Sequence, residues 1–417
     1  MFAVLYPAAA PAAAGQSRPS MTTVRVGLVG CGAFARFSMA RYRQLPGVTI
    51  AAVADIDAAA AKRAAGELGA EPRAPDAVLV APDVDLVYIA TPPALHFRQA
   101  RAALEAGKHV LVEKPLATTV ADAEALAALA ARQGRVCVAN LVERYNPLAD
   151  AVAAVIRSRA LGDLVHGLFI NEAADEGLAP GHWFWDRAMS GGIFVEHGVH
   201  FFDLVAFWLG AGEVVAAAHS VRSPVAAGDG DGDGDGDGRG VEEQVMCTCR
   251  YAAPGADGRP RGGERHAGIL FHFEHGFHQP SRMDRQELRL VFERGELRLF
   301  DWVPTRGELR AVLDDEATAT VAGLLPAAET RVVERYDGAA RQVRGRFRPF
   351  VATALVEIRF GLGKDKLGIY GDVVHDLAAD QVAWIRDPGH RRRLTEAEGV
   401  ASVALACAAD RLALAAP

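Results

Sequence analysis

Three side chains in this sequence have the residue types and the spacing for proton transfer at a carbon centre. Lys114 lies in "VEKP" directly after an apolar run, and His200 lies in "GGIFVEHGVHFFDL". If this second stretch is helical, Glu196, His200 and Asp203 share one face. Histidine can accept a proton near neutral pH, and a carboxylate one turn away can orient it. The pattern predicts Lys114, Glu196 and His200 as catalytic residues.

Less specific interpretations of these residues stay open. His200 could be a hydrogen-bonded core histidine beside an acid. A metal site is another alternative, with Glu196, His197, His200 and Asp203 as possible ligands. Their order matches neither HExxH nor HxxEH, and Gly198 weakens the helix, so we expect no metal ion there. The run "HFEHGFH" at 272–278 also resembles a metal site, but its glycine indicates the end of a hairpin.

A glycine-rich loop near the start of the chain predicts a dinucleotide site. "GLVGCGAFARF" follows a strand-like run and precedes a helical one. Gly30 permits a tight turn, and Gly32 lets the backbone approach a pyrophosphate. Ala35 takes the place of a third glycine. Ala33 and Phe34 lie at the start of the helix, where free amides would meet the phosphates.

The acid that ends the next strand indicates which dinucleotide binds. Asp55 is placed to accept hydrogen bonds from ribose hydroxyls, and its charge would repel a 2′-phosphate. The first basic residue after it is Lys62. The sequence therefore favours NAD over NADP.

The elements that must position these residues alternate between strand and helix up to about residue 145. Strands are predicted at 24–29, 48–55, 84–91 and within "KHVLVEKP" and "RVCVAN", with helices at 34–44, 58–68, 95–106 and 121–133. The alternation predicts an α/β Rossmann domain, a doubly wound parallel sheet, over residues 21–145.

Two motifs end neighbouring strands at the carboxyl edge of that sheet, where ligands bind in this architecture. They are "ATPPALH" and "VEKP". We therefore expect cofactor contacts from Thr91, Pro92, His96, Glu113 and Lys114.

After residue 146 the pattern of predicted elements changes to successive strands without intervening helices, which predicts an antiparallel sheet. Residues 146–417 are predicted to form one α+β domain. Its last helix should begin at Thr395, where Thr395 and Glu398 form a capping box, and run to about residue 414.

Composition limits the class of protein. The chain has 417 residues, of which 50% are hydrophobic, and a formal net charge of −7. We expect no nucleic-acid or membrane partner, since no basic surface or long uncharged apolar run stands out. Five scattered cysteines are typical of a reducing compartment, so we expect a cytoplasmic protein. Residues 1–20 are predicted to be a disordered extension, and the Gly–Asp run at 228–238 a flexible loop.

Taken together, the motifs resemble those of the Gfo/Idh/MocA family of NAD(P)-dependent oxidoreductases. The matching segments are "GLVGCGAFA", Asp55, "TPPALH", "EKP" and "GGIFVEHGVHFFD", in that order. The resemblance implies a second domain with a large open sheet that supports dimers or tetramers. It also implies oxidation or reduction of a secondary hydroxyl on a sugar, cyclitol or related polyol.

The resemblance also assigns roles to single residues. Lys114 matches the catalytic lysine and His200 the proton-transferring histidine, while Glu196 stands where the family usually has aspartate. Asp203 and Arg144, the latter in "ERYNP", are implied as structural or substrate contacts. We also expect Trp185 and Arg187, with Trp183, to form a wall of the substrate site.

Three rival functions on the same scaffold stay open. One is a glycosidase that oxidises a sugar transiently with bound NAD. Another is a non-catalytic NAD(P)-sensing regulator, which would be expected to lose the lysine or the histidine. The third is an imine or enone reductase.

Overall fold

The structure is a computed structural model, and it describes residues 23–175, 177–179, 181–222, 241–252, 268–345 and 349–415. The predicted extension at 1–20 and the Gly–Asp run at 228–238 lie outside these ranges.

The first half of the chain folds into strands that are buried on both faces, with helices between them. The elements are β1 Val24–Val29, α1 Ala33–Tyr42, β2 Val48–Ala54, α2 Ala58–Leu68, β3 Glu71–Pro72, α3 Pro75–Val80, β4 Leu86–Ile89, α4 His96–Glu105, β5 His109–Val112, α5 Val120–Gln133 and β6 Cys137–Ala139. All strand pairs are parallel, in the order β3-β2-β1-β4-β5-β6. The predicted Rossmann sheet is confirmed, although β4 is shorter than the predicted strand 84–91.

The second half is built on a nine-stranded sheet. Its elements are α6 Pro147–Ser158, β7 Leu164–Glu172, α7 Arg187–Ser190, α8 Val199–Leu209, β8 Gly212–Arg222, β9 Val241–Tyr251, β10 Ile269–Gly276, β11 Arg285–Phe292, β12 Gly295–Phe300, β13 Arg306–Leu313, α9 Asp315–Leu324, β14 Glu329–Arg335, β15 Gln342–Arg344, β16 Pro349–Val351, β17 Ala354–Gly361, α10 Lys366–Arg386 and α11 Glu396–Ala415. The order is β14-β17-β13-β12-β11-β7-β10-β9-β8. Within this sheet, β7–β10 is the only parallel pair among the described strands, so the sheet is mostly antiparallel as predicted.

The two faces of this sheet differ because its side chains alternate. Phe271 and Phe273 of β10 are fully buried on the inner face, which packs against α8. On the outer face, Leu270 is 45% and Met246 37% exposed. Further along, arginine and glutamate alternate across the strands, with Arg298 opposite Glu308. The nine-stranded sheet is thus open on one side.

The last two helices connect the two sheets. Helix α10 packs on α1, and α11 packs on both α5 and β8. The capping box at the start of α11 is confirmed, since the Thr395 amide donates to Glu398 Oε2 at 2.7 Å. The sequence pattern does not predict α10. The boundary at residue 146 stays a prediction, because the chain after residue 366 packs on both halves.

One segment of the described chain, Arg187–Leu209, is long and apolar enough by composition to cross a membrane. Most of it, 83%, is buried inside the protein, as for the core helix of a globular domain.

Candidate active site

Lys114 and Glu196 meet between the end of β5 and the turn that precedes α8. Lys114 follows β5 at the carboxyl edge of the parallel sheet and precedes Pro115 through a cis peptide bond. Its Nζ donates to the Glu196 carbonyl oxygen at 2.9 Å and also contacts the Glu196 carboxylate. The side chains are 17% and 7% exposed, so this charge-assisted contact is largely shielded from water.

Glu196 lies in a π-helical turn, Phe194–Gly198, rather than in a regular α-helix. The turn has more residues than an α-helical turn, so the predicted i, i+4 alignment of Glu196 with His200 does not apply. Glu196 therefore pairs with Lys114 instead of orienting His200, which corrects the expected role of this carboxylate.

His200 lies in the first turn of α8 and is 2% exposed. Neither of its ring nitrogens has a hydrogen-bond partner within the described part of the chain. Burial, and after it the charge of Lys114, hold the pKa of His200 well below its usual value. The imidazole is therefore neutral and free to accept a proton, with Lys114 close enough to affect it.

Asp203 and Arg144 form a buried ion pair with each other. The Arg144 Nε donates to Asp203 Oδ2 at 2.8 Å, and a second guanidinium nitrogen contacts the other carboxylate oxygen. The two side chains are 6% and 2% exposed. Each charge is satisfied by the other, which gives both residues a structural role that joins α8 to the turn after β6. We do not retain them as substrate contacts.

The predicted aromatic wall is present in part. Trp185 and Phe184 pack edge to face against Phe277 and are half-buried. Arg187 instead pairs with Glu242 and Asp410. Because two carboxylates already bind the Arg187 guanidinium, this residue links β9 to α11 and does not line the substrate site. Trp185 remains part of the proposed wall.

The loop between β1 and α1 has the form that a pyrophosphate requires. Gly30 has φ +94°, and a side chain there would overlap the Ala90 carbonyl oxygen. At Gly32 a Cβ would meet nothing within 4 Å. No side chain caps α1 and no acid lies in its first turn, so its first amides are open to an anion. These residues fit a dinucleotide.

The acid expected to bind ribose stands beside this loop. Asp55 accepts the Cys31 amide at 2.7 Å and the Asp57 amide at 2.9 Å, which fixes its carboxylate at the end of β2. Ile56, next to it, is 97% exposed and offers an apolar surface to a flat base. Of the helix residues, Ala33 is exposed and Phe34 packs on Tyr370 with ring centroids 5.1 Å apart.

His96 does not face the cofactor site as expected. It is fully buried, and its two ring nitrogens lie 2.7 Å from the Pro115 carbonyl oxygen and 2.8 Å from that of Thr91. Burial lowers the pKa of His96 to about 4. It therefore ties the loop after β4 to the loop after β5. Thr91 is engaged too, donating to Gln99 at 2.6 Å, while Pro92 precedes a short 3-10 turn.

Glu113 is likewise directed into the protein. It accepts hydrogen bonds from Tyr88 and, at 2.9 Å, from Asn140. Burial raises the pKa of Glu113 to about 7. Its side chain anchors the strand end that carries Lys114, and its predicted contact with cofactor is not part of our proposal.

Several residues around His200 carry no motif and were missed in the sequence. Trp302, in the connection between β12 and β13, has its ring 4.9 Å from that of His200. Its Nε1 donates to His197 Nε2 at 3.3 Å. Tyr370 of α10 packs on the other side of Trp302 at 5.4 Å. Only the clustering of aromatic residues near each turn could have pointed to them.

The described residues contain no group of three or more His, Cys, Asp or Glu side chains arranged to hold a metal ion. His275, from "HFEHGFH", packs instead among aromatic rings, 5.2 Å from that of His197. The site thus brings together a lysine, a neutral histidine, a carboxylate and an open phosphate-binding loop. Such a set can move a proton and stabilise an oxyanion beside a bound dinucleotide.

Comparison with known proteins agrees with this arrangement. Residues 24–141 match the model of an oxidoreductase family with an NAD-binding Rossmann fold. Residues 150–298 match the model of the GFO/IDH/MocA C-terminal domain.

Curated relatives share part of the chain. A 4-carboxy-2-hydroxymuconate-6-semialdehyde dehydrogenase from Sphingobium sp. is 31% identical over 48% of this chain and 63% of its own length. D-apiose dehydrogenase from Paraburkholderia graminis is 31% identical over 53% and 59%. A glycosyl hydrolase family 109 protein from Shewanella pealeana is 30% identical over 46% of each. The chain thus spans less than two thirds of the length of these relatives.

Solved structures share the fold. Levoglucosan dehydrogenase in complex with NADH and L-sorbose superposes with a TM-score of 0.68 at 20% identity, covering 94% of this chain and 97% of that one. KijD10, a 3-ketoreductase from Actinomadura kijaniata in complex with NADP and TDP-benzene, gives 0.66 at 20% identity, covering 93% and 97%.

Proposed function

The chain belongs to the GFO/IDH/MocA oxidoreductase family, and on that premise we propose that it acts on a secondary hydroxyl or ketone of a sugar, cyclitol or related polyol. When bound, a nicotinamide cofactor accepts or returns the hydride. One observation carries the proposal. Lys114, at the end of β5, contacts Glu196, which is 82 residues away in the chain and in the turn that leads to His200.

The residues divide the proton chemistry between them. His200 is neutral and has no hydrogen-bond partner among the described residues, so in the oxidative direction it takes the hydroxyl proton and in the reductive direction it returns it. The Lys114 ammonium stabilises the developing alkoxide. Glu196 holds that ammonium in place through its carboxylate and its backbone carbonyl. Trp302 and Trp185 supply flat apolar surfaces on which a sugar ring can pack.

We infer that the cofactor is NAD rather than NADP. The Asp55 carboxylate at the end of β2 would repel a 2′-phosphate, and exposed Ile56 rather than a basic residue follows it. NADH should bind at least about 10-fold more tightly than NADPH, as measured by nicotinamide fluorescence. Asp55→Ala should reduce the difference in affinity between NADH and NADPH. Equal affinities of the wild type for the two cofactors would contradict the assignment of NAD.

The test of function is His200→Ala. Because His200 is the proposed proton acceptor, turnover should fall by about 10²- to 10⁴-fold while NADH affinity stays unchanged. Turnover is followed by NADH absorbance with a panel of aldoses, cyclitols and sugar phosphates. His375→Ala, at a partly exposed histidine on α10, is the control. Near-normal turnover by the His200 variant would remove this residue from the mechanism.

A second candidate is a glycosidase that uses bound NAD transiently, and it is favoured by the likeness to the Shewanella pealeana protein. It would release sugar from a nitrophenyl glycoside without accumulating NADH. Steady NADH formation from a free polyol supports the dehydrogenase instead. A nicotinamide-sensing regulator would bind NADH and turn over neither class of compound.

We further propose that the protein is a cytoplasmic homodimer or homotetramer that pairs through the open face of the nine-stranded sheet. Leu270 and Met246 on that face are substantially exposed, and the alternating arginine and glutamate side chains further along it, on β12 and β13, are self-complementary under two-fold symmetry. Sedimentation should give more than one chain per particle, and Leu270→Lys should lower that number. A wild type that sediments as a monomer at micromolar concentration would refute this assembly.

A further inference from the structure

A second acid lies beside the proposed site and has no place in the mechanism above. Glu143 is in the 3-10 turn Val142–Tyr145, which follows β6 at the same sheet edge as Lys114. Asn140, before the turn, bonds Glu113 next to Lys114, and Arg144 bonds Asp203 one turn after His200. Glu143 is thus held between the neighbours of the two catalytic residues.

The Glu143 carboxyl is buried, and it has no partner in the part of the chain that the structure describes. The residue is 1% exposed, and neither of its oxygens has a hydrogen bond from any described residue. The side chains around it in sequence are all engaged, since Tyr145 donates to Asp380 at 2.6 Å and Asn146 to the Pro304 carbonyl at 2.8 Å. A buried carboxyl that satisfies no structural bond is costly to keep, and so it is a candidate for binding something else.

The elements packed on the turn are α6, α8 and α10. Helix α8 carries His200 and Asp203, and the charge of Asp203 is matched by Arg144. The α6 acid Asp150 pairs with Arg393. Helix α10 carries Lys366 at its first position. The charge of Lys366 lowers the pKa of both Glu143 and His197, so this lysine faces the turn and the histidine cluster closely enough to act on both.

We propose that Glu143 is a substrate-binding residue that hydrogen-bonds a ring hydroxyl of the sugar or polyol next to the reacting carbon. This inference rests on the proposed function and extends it to the substrate. It makes Glu143 a determinant of which hydroxyl pattern the site accepts, because a substrate without that hydroxyl would leave a buried polar group unpaired.

The protonation state of the carboxyl gives the inference a distinct signature. Burial raises the pKa of Glu143 to about 8, against a smaller opposing effect of Lys366. At neutral pH the group is therefore a neutral acid with one O–H donor and one carbonyl acceptor. Glutamine offers the same pair of functions and does not titrate, whereas alanine offers neither.

The experiment measures KM and kcat with myo-inositol and D-glucose as probes. Glu143→Ala should raise KM about 10- to 100-fold while the Kd for NADH stays the same. Glu143→Gln should keep KM within about threefold at pH 7. Above pH 8 the KM of the wild type should rise and that of the glutamine variant should not. Lys366→Met should move the rise to higher pH, because the lysine lowers the pKa of Glu143.

The control is Glu316→Gln, which alters an exposed acid at the start of α9. If the wild type turns over a probe and Glu143→Ala has the same KM, the inference fails while the proposed function stands. If Glu143→Ala and Glu143→Gln lose activity equally and both melt earlier, the role is structural and the inference also fails. If the wild type turns over neither probe nor any polyol of the wider panel, both proposals fall.

Discussion

At the scale of single residues, Trp302 determines which tautomer His197 adopts. The indole N–H can only donate, so His197 Nε2 must be the acceptor of this bond. Burial lowers the pKa of His197 well below its usual value, so the ring is neutral and its proton sits on Nδ1. His197 therefore offers its Nδ1–H as a hydrogen-bond donor close to His200.

Replacing the indole by a ring without a donor tests this. Trp302→Phe keeps the aromatic contact with His200 but frees His197 Nε2, so the tautomer is no longer fixed. We expect kcat/KM to fall about 3- to 10-fold with little change in melting temperature. The control is Trp208→Phe, which removes a bond to the Ala149 carbonyl of 2.9 Å outside the site. Equal losses of kcat/KM in the two variants would contradict the assigned role.

The sequence predicts which residues belong to the site better than it predicts which residues they contact. Lys114 and His200 stand out in the sequence because their motifs end a strand and begin a helix. The partner of Glu196 could not be predicted, since it depends on a contact across 82 residues and on a π-helical turn. His96 and Glu113 were assigned to the cofactor because they lie at the right sheet edge, yet their side chains point into the protein. Whether the remaining site residues bind ligand stays a prediction.

At the scale of elements, the two glycines of the β1–α1 loop have different roles, and substitution of each by alanine distinguishes these roles. At Gly30 a Cβ would meet the Ala90 backbone in a left-handed conformation, so Gly30→Ala should lower the melting temperature by several degrees. At Gly32 φ is −59° and no atom lies within 4 Å of a Cβ.

Gly32→Ala should therefore fold normally but bind NADH at least about 10-fold more weakly, because the methyl group occupies the space of the pyrophosphate. Thermal unfolding and NADH fluorescence titration of both variants check this. Unchanged NADH affinity in Gly32→Ala would show that this loop does not contact the dinucleotide.

Regular elements could be predicted from local pattern, and irregular ones could not. The helix Ala58–Leu68 has the predicted bounds, since an aspartate cap and a following glycine mark its ends. No local sequence pattern predicts helix α10. It has glycines at 368 and 371, and packing on α1 stabilises it in spite of them.

At the scale of the whole molecule, buried histidines make stability dependent on pH. Four of them, His96, His197, His200 and His275, have pKa values lowered by burial. In the unfolded chain these groups titrate near pH 6.5. As the pH falls below that value, the unfolded state takes up protons that the folded state does not. The free energy of unfolding therefore decreases toward acid, by about 2 kcal/mol per histidine at pH 5.

Urea unfolding at pH 7.5 and pH 5 measures this loss. His275→Phe places a non-titrating ring among Phe169 and Phe201, so the variant should lose less stability between the two pH values than the wild type. His375→Gln, at a partly exposed site, should leave the dependence unchanged. An identical pH dependence in wild type and His275→Phe would mean that this histidine titrates normally in the folded protein.

The fold class follows from the sequence because strand–helix alternation and strand succession are local signals. The way in which the two halves join could not be predicted from local signals, since α10 and α11, late in the chain, pack on α1 and α5. During synthesis, the surfaces of α1 and α5 leave the ribosome more than two hundred residues before the helices that cover them. Until α10 and α11 have been made, the surfaces of α1 and α5 that they cover are exposed to solvent, and such surfaces favour aggregation of a nascent chain.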